Sequence, residues 1–279
     1  MIEAKNITKK FRHVTALKRL NVSFGENRIY GLLGRNGAGK STLLNLITNR
    51  LIPSEGFLYV DGMPAMENDT ALGRISYMSE DTLYEPSVRV RRMFEWSKLF
   101  NPGFDTDYAN GLAAKFGLDP GKKFGQLSTG YRSIAKLVAT LASGAEYLLF
   151  DEPVLGLDAN HRQLFYEELL ARYAEKPCTV ILSTHLIEEV SALIGHVVII
   201  KDGTILLDRP AEEIQDMGFT VSGRKEDVLA WSSGKNILGT QEIGGLMLAH
   251  ILGDRGAVPE NLTVTPLDLQ QLFIHLTNA

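Results

Sequence analysis

Gly34-Arg35-Asn36-Gly37-Ala38-Gly39-Lys40-Ser41 is the stretch that decides the fold, because it matches in full the phosphate-binding pattern GxxxxGK followed by Ser or Thr. In such a loop glycines let backbone N–H groups turn towards phosphates, the lysine supplies a mobile charge, and the serine hydroxyl can bind Mg²⁺. Residues 28–33 predict a buried strand before the loop, and residues 42–47 predict a helix whose N-terminus faces the anion. We therefore predict that a nucleotide is bound by consecutive residues of this stretch: Asn36, Gly37, Ala38, Gly39, Lys40, Ser41 and Thr42.

The composition is typical of a globular α/β protein. With 279 residues, 44% of them hydrophobic, the chain can form one large domain and a smaller one. Its net charge of −4 does not favour nucleic acid, and we expect no nucleic-acid partner. The single cysteine, Cys178, adjoins an apolar run, which predicts a buried thiol in a reducing compartment. Apolar runs far shorter than the roughly 20 residues of a membrane span, and no visible secretion signal, predict a cytoplasmic location.

Local patterns divide the chain into regions. Residues 1–30 alternate like antiparallel strands, whereas about 86–145 show the apolar spacing of an inserted helical lobe. Short buried strands then alternate with helices, which favours a mostly parallel sheet covered on both faces. We predict an α/β nucleotide-binding domain over residues 1–217 and a small α+β module over 218–279.

Two adjacent carboxylates follow the apolar residues 147–150. A buried strand there would deliver Asp151 and Glu152 to the end of the sheet where phosphates bind. We predict that Asp151 holds Mg²⁺ through water and that Glu152 polarises a water for attack on the γ-phosphate. Solvated acids are common at strand ends, and only the phosphate-binding loop upstream makes the catalytic interpretation the better one.

Leu127-Ser128-Thr129-Gly130-Tyr131 resembles LSGGQ, the signature motif of the ATP-binding cassette (ABC) ATPases, and it lies upstream of the two carboxylates as in that family. A D-loop at Val154-Leu155-Gly156-Leu157-Asp158 and a switch histidine, His185, follow in the family's order. Phe11 stands where the family stacks adenine, so the resemblance covers residues 1 to about 215. It implies the P-loop NTPase fold of ABC ATPases: a mostly parallel core sheet, an N-terminal antiparallel β region and an inserted helical lobe.

Three of these residues also have a structural interpretation. His185 could be an ordinary strand-end histidine, although its position suits a side chain that senses the γ-phosphate. Phe11 could be a core aromatic, and its stacking role depends on the resemblance. Ser128 could simply cap a helix, but the same helix N-terminus would attract a phosphate.

The resemblance also implies a cofactor and a partner chain. ATP and Mg²⁺ would bind between two cassettes, with Lys40 and Ser41 of one chain facing Ser128 and Gly130 of the other. Hydrolysis would then separate the two chains of a homodimer or heterodimer. The catalytic residues implied are Glu152, His185 and Lys40; the Mg²⁺ ligands are Ser41, Asp151 and Glu80; the D-loop residue at the dimer interface is Asp158.

Three positions depart from the family pattern. Glu80 stands where the family usually has Gln, and a carboxylate can bind Mg²⁺ but cannot donate a hydrogen bond. Thr129 and Tyr131 replace a glycine and the glutamine of the signature. Because the P-loop lysine, both carboxylates and the histidine are present, we expect a competent ATPase.

The function implied is the motor subunit of an ABC transporter, held at the cytoplasmic face of the membrane by separate transmembrane permease subunits. The helical lobe, around residues 88–99 with Glu80 before it, would receive the membrane subunit. Residues 27–37, Glu80 and the closing segment 261–276 resemble exporter-type ATPases for drugs, antimicrobial peptides or small metabolites.

Two other functions compete with this one. A soluble ABC ATPase acting on the ribosome or DNA usually has two cassettes or a long coiled-coil insertion, and this sequence has one cassette and a short insertion. Another P-loop enzyme, such as a GTPase or a small-molecule kinase, would leave the signature and the D-loop unexplained, and no NKxD guanine motif is present.

Overall fold

The computed structural model describes residues 1–81 and 84–278. Its strands are β1 (Ile2–Phe11), β2 (Val14–Phe24), β3 (Ile29–Leu33), β4 (Glu55–Val60), β5 (Met63–Pro64), β6 (Ile75–Met78), β7 (Tyr147–Asp151), β8 (Thr179–Thr184), β9 (His196–Lys201), β10 (Thr204–Pro210), β11 (Gly218–Arg224), β12 (Asn236–Ile243), β13 (Leu246–Leu252) and β14 (Thr263–Pro266). Its helices are α1 (Lys40–Ile47), α2 (Asp69–Leu72), α3 (Val90–Phe100), α4 (Thr106–Lys115), α5 (Thr129–Leu141), α6 (Ala159–Glu175), α7 (Ile187–Val190), α8 (Ala211–Asp216), α9 (Lys225–Ser232) and α10 (Leu269–Asn278).

The central sheet has the strand order β10-β9-β3-β8-β7-β6. All neighbours from β9 to β6 are parallel, and only the edge strand β10 is antiparallel. Every residue of β3, β7 and β8 is buried, as expected for strands covered on both faces. Because the carboxyl ends of parallel strands meet at one edge, the loops after these three strands converge there.

Two further layers flank the central sheet. An antiparallel sheet of order β2-β1-β4-β5 shares an apolar cluster with α1. Helices α3, α4 and α5 form the lobe predicted between residues 86 and 145, and their apolar faces join the larger core cluster. The predicted α/β cassette fold is therefore confirmed.

A third sheet, of order β12-β13-β11-β14, begins at Gly218 and is antiparallel throughout. Together with α9 it encloses a separate apolar cluster that includes Val221, Val228 and Ala249. Helix α10 instead contributes Leu272 and Phe273 to the large core cluster of the cassette. The division of the chain at residues 217 and 218 stays a prediction.

No helix within the described residues is long and apolar enough to span a membrane. The predicted burial of Cys178 is confirmed, since the residue is 4% exposed. Burial also raises the pKa of its thiol.

Candidate functional site

The phosphate-binding loop connects β3 to α1 and has two glycines in the left-handed backbone region. Gly37 has a φ of +81° and Gly39 a φ of +113°. A Cβ atom on Gly39 would come within 2.7 Å of Leu17 Cδ2 and 2.9 Å of the Ala16 carbonyl oxygen, so no other residue fits there. The helix after the loop begins at Lys40, two residues earlier than predicted.

Lys40 lies at the centre of this loop with only 6% of its surface exposed. Its Nζ donates a hydrogen bond of 2.7 Å to the Gly34 carbonyl oxygen. The same nitrogen lies 3.7 Å from Glu152 Oε1, so the ammonium already faces a carboxylate. The Lys40 ammonium is therefore already oriented before a phosphate enters the loop.

Glu152 joins the end of β7 to the end of β8. Its Oε2 lies at a hydrogen-bond distance of 2.9 Å from His185 Nδ1, and its backbone N–H donates to the Ser183 carbonyl oxygen. Glu152 also has a φ of +48°, a left-handed backbone conformation that is unfavourable for a residue with a side chain. The structure therefore brings together Lys40, Glu152 and His185, which sequence reasoning predicted as catalytic residues.

Asp151 is 2% exposed and lies beneath the site. Its Oδ1 accepts a hydrogen bond of 2.8 Å from the Ser183 hydroxyl, and its Oδ2 accepts one of 3.3 Å from the Tyr77 hydroxyl. Burial and the negative charge of Asp151 raise the pKa of Tyr77. Sequence reasoning missed both partners, although Ser183 stands directly opposite Asp151 in the register of β7 and β8.

A cleft of about 310 Å³ opens above these groups. It is lined by the predicted loop residues and by side chains from three other segments: Asn36, Gly37, Ala38, Gly39, Lys40, Ser41, Thr42, Glu80, Glu152 and His185. Arg35 and Leu155 also line it and were not predicted. The loop predicted to bind nucleotide, the predicted Mg²⁺ ligand Glu80 and the predicted catalytic residues Glu152 and His185 thus share one cavity.

The side chains near the cleft offer the type of ligand atom that Mg²⁺ prefers. Ser41 and Glu80 line the cleft and Asp151 lies behind it, and all three offer hard oxygen atoms. Among residues 1–81 and 84–278, no group of three or more His, Cys, Asp or Glu side chains could hold a metal ion. Mg²⁺ would therefore need phosphate and water oxygens as well, which is how it is usually bound.

The signature residues lie against the D-loop, and the cleft is lined by neither Ser128 nor Gly130. Ser128 caps α5, since its hydroxyl accepts a hydrogen bond of 3.3 Å from the Tyr131 backbone N–H. A Cβ atom on Gly130 would come within 2.7 Å of the Gly156 carbonyl oxygen. Their action on the nucleotide of a partner chain stays a prediction.

Asp158 caps α6, which follows the D-loop. Its Oδ1 accepts a hydrogen bond of 2.9 Å from the His161 backbone N–H, and its Oδ2 lies 2.8 Å from His161 Nδ1. These bonds lower the pKa of Asp158. The His161 ring also contacts the Tyr131 ring edge-on, with 5.9 Å between the ring centroids. Tyr131, which replaces the glutamine of the signature, therefore packs against a residue that follows the D-loop.

Phe11 ends β1 and is 41% exposed. The ammonium of Lys9 lies 5.0 Å from the centre of its ring. The ring is therefore available for stacking but does not line the cleft. Its role in binding adenine stays a prediction.

Comparison with known proteins identifies the domain. A family model described as ABC transporter matches residues 17–155. The ABC transporter ATP-binding protein YtrB of Bacillus subtilis (strain 168) is 26% identical over 77% of this chain and 74% of its own length. The ribose import ATP-binding protein RbsA of Chelativorans sp. (strain BNC1) is 27% identical over 80% of this chain and 46% of its own length.

Export proteins and solved structures are also similar. The Nod factor export ATP-binding protein I of Burkholderia orbicola (strain AU 1054) is 29% identical over 72% of this chain and 68% of its own length. A solved dimeric structure of an ATP-binding cassette, in a post-hydrolysis state and bound to ADP and Pi, has a TM-score of 0.68 at 23% identity. The match covers 76% of this chain and 99% of the chain in that structure. That likeness supports the fold. The chain thus carries the ATP-binding domain of the ABC transporter family, whose members are ATPases.

Proposed function

We propose that this chain is the ATP-hydrolysing motor subunit of an ABC transporter, that it pairs with a second cassette around ATP, and that it drives transport through separate transmembrane permease subunits. The observation that carries the proposal is the placement of Lys40, Glu152 and His185 around one cleft at the phosphate-binding loop.

The chemistry follows from these contacts. A γ-phosphate that reaches Lys40 becomes its counter-charge and takes the place of Glu152, 3.7 Å away. Glu152 can then accept a proton from the attacking water, while His185 Nδ1 holds the other carboxylate oxygen. The second ring nitrogen of His185 is left to contact the γ-phosphate.

The Mg²⁺ ligands in the proposal are the Ser41 hydroxyl, Glu80 and, through water, Asp151. When bound, the ion neutralises the charge that develops on the phosphate oxygens. Asp151 is held by Ser183 and Tyr77, so its orientation is fixed before the ion binds.

The second cassette supplies Ser128 and Gly130 in trans. Ser128 is exposed at the N-terminus of α5, where the helix dipole favours a phosphate. Asp158 binds His161, whose ring contacts Tyr131 in the first turn of α5, which suits a D-loop residue at the dimer interface. The partner can be an identical or a different chain.

The surface for the membrane subunit is a groove of about 530 Å³ between β6 and the helical lobe. Aromatic and apolar side chains form much of its wall: Tyr77, Met78, Met93, Trp96 and Phe100. Leu99 and Phe100 are 73% and 83% exposed, and neighbouring exposed apolar side chains favour a protein partner. Docking there would place the chain at the cytoplasmic face of the membrane.

Export stays a prediction from sequence resemblance. The relatives described above include a ribose import protein and a Nod factor export protein, so family membership is compatible with either direction.

Co-purification with Glu152→Gln tests the proposal. The rate of ATP turnover by this variant should fall about 10²–10⁴-fold, since the variant lacks the general base. The variant should still bind ATP and should still form the ATP-bound dimer. Purified from membranes with ATP, it should retain an integral membrane protein. The matched control is the double variant Lys40→Ala, Glu152→Gln. Its retention of the membrane protein should no longer depend on ATP. Recovery of ribosomes or DNA without a membrane protein would contradict the transporter function.

A further inference from the structure

Lys136 is a buried cation on the helix that begins at the signature. It lies in α5 and is 8% exposed. Its Nζ donates hydrogen bonds of 2.8 Å to the carbonyl oxygens of both Ser79 and Glu80. None of the ion pairs within residues 1–81 and 84–278 includes it.

Burial of this ammonium is costly unless its protons are satisfied. Burial lowers the pKa of Lys136, and the charges of Asp81 and Glu80 oppose that effect. The two carbonyl bonds therefore stabilise the charged side chain as well as the loop that it contacts.

The loop that receives these bonds makes one further hydrogen bond among residues 1–81 and 84–278. Strand β6 ends at Met78, so residues 79–81 have left the sheet. Within this loop the Ser79 hydroxyl donates to the Asp81 carbonyl oxygen. Glu80 lines the cleft of the phosphate-binding loop.

We propose that Lys136 is a positioning residue for ATP hydrolysis, which holds Glu80 at the cleft by binding the carbonyls of Ser79 and Glu80. This inference rests on the proposed role of Glu80 as a ligand of Mg²⁺. Because Lys136 projects from the signature helix, it fixes the Glu80 loop to the element that would meet the partner cassette.

Lys136 also lines the groove proposed for the membrane subunit. A segment that enters the groove would contact the same side chain that holds the Glu80 loop. Lys136 therefore connects the docking groove and the ATP cleft through one side chain.

A double-mutant cycle with Glu80 tests the inference in the full chain. Lys136→Met keeps the length of the side chain and removes its donors. It should lower kcat about tenfold, because small misplacements of reacting groups have effects of that size or larger, and should raise the Mg²⁺ concentration for half-maximal turnover. Lys136→Arg, which keeps donors, should restore most of the loss. In a Glu80→Ala background, Lys136→Met should change kcat by less than about twofold.

Lys235 offers a control, because its ammonium also donates to a backbone carbonyl oxygen, that of Arg255, and it lines neither the cleft nor the groove. Lys235→Met should leave kcat within about twofold of the parent. Equal losses from Lys136→Met in both backgrounds, or no rescue by Lys136→Arg, would overturn the inference. If Lys136→Met does not fold, Lys136→Gln serves in the same cycle.

The outcomes separate this inference from the proposed function. An unaltered kcat in Glu80→Ala would overturn the role of Glu80, and the inference with it. An unaltered kcat in Lys40→Ala would overturn the ATP site itself. These two outcomes are distinct from a third one, in which Lys136→Met lowers kcat equally with and without Glu80. That third outcome would overturn only the inference about Lys136.

Discussion

Removal of the Ser183 hydroxyl is the sharpest test of how the buried carboxylate Asp151 is held at the proposed ATP site. Ser183 is fully buried and donates a hydrogen bond of 2.8 Å to Asp151, which is itself 2% exposed. Ser183→Ala leaves one oxygen of a buried carboxylate without this donor. Among residues 1–81 and 84–278, the Tyr77 hydroxyl, at 3.3 Å from the other oxygen, is then the remaining side-chain donor.

The size of the effect follows from these distances. Hydrogen bonds to charged groups contribute about 1.5–3 kcal/mol, so Ser183→Ala should lower the free energy of unfolding by about 2 kcal/mol. In a protein of 279 residues that loss corresponds to roughly 3–4 °C in Tm. The Tyr77 bond exceeds the usual O–H···O distance of about 2.5–3.0 Å, so Tyr77→Phe should lose less than Ser183→Ala.

Urea unfolding of the parent and both variants measures these differences, and ATP turnover as a function of Mg²⁺ concentration measures the effect on the site. Both variants should need a higher Mg²⁺ concentration than the parent for half-maximal ATP turnover. The increase should be larger for Ser183→Ala than for Tyr77→Phe. Ser191→Ala is the control, since its hydroxyl donates to the Glu188 carbonyl oxygen at the surface, and it should change stability by less than about 0.5 kcal/mol. A loss below that value in Ser183→Ala, or a larger loss in Tyr77→Phe, would refute the reasoning.

Three further predictions concern other parts of the chain. Because burial raises the pKa of Cys178, a thiol reagent at pH 8 should label it only after unfolding, and rapid labelling of the native protein would contradict its burial. Gly130→Ala should destabilise the protein by about 1–3 kcal/mol in urea unfolding, since its Cβ would lie 2.7 Å from the Gly156 carbonyl oxygen. Burial and His275 lower the pKa of His250, so stability should be full above about pH 6.5 and fall as the pH decreases towards the lowered pKa. Unfolding measured at pH 7.5 and 5 should show this fall in the parent and a smaller one in His250→Leu.

Sequence reasoning succeeded where the signal is local. The apolar runs of β3, β7 and β8 are continuous because these strands are buried on both faces, and each leads directly into a glycine loop, two carboxylates or a histidine. Strand β12 was not predicted. It lies at the edge of its sheet and is exposed along most of its length, so its sequence has no clear alternation.

The supporting residues of the site could not be found in the same way. Ser183 is 32 residues from Asp151 in the chain, and Lys136 is 57 residues from Ser79. Their roles depend on strand register and helix packing, to which a single sequence gives no direct access. A serine in an apolar strand and a lysine in an amphipathic helix have ordinary local explanations, which conceal such contacts.

The C-terminal region bears on the site through α10. This helix contacts α7, which begins two residues after His185, and its Asn278 side chain accepts a hydrogen bond of 3.0 Å from Arg35 in the phosphate-binding loop. Its Leu272 is fully buried in the core cluster of the cassette. Loss of residues 218–278 would therefore uncover apolar core and release a loop contact at the same time. The ATPase activity of such a truncation would report on folding as well as on regulation, so the contribution of this region is better measured with single substitutions in the full chain.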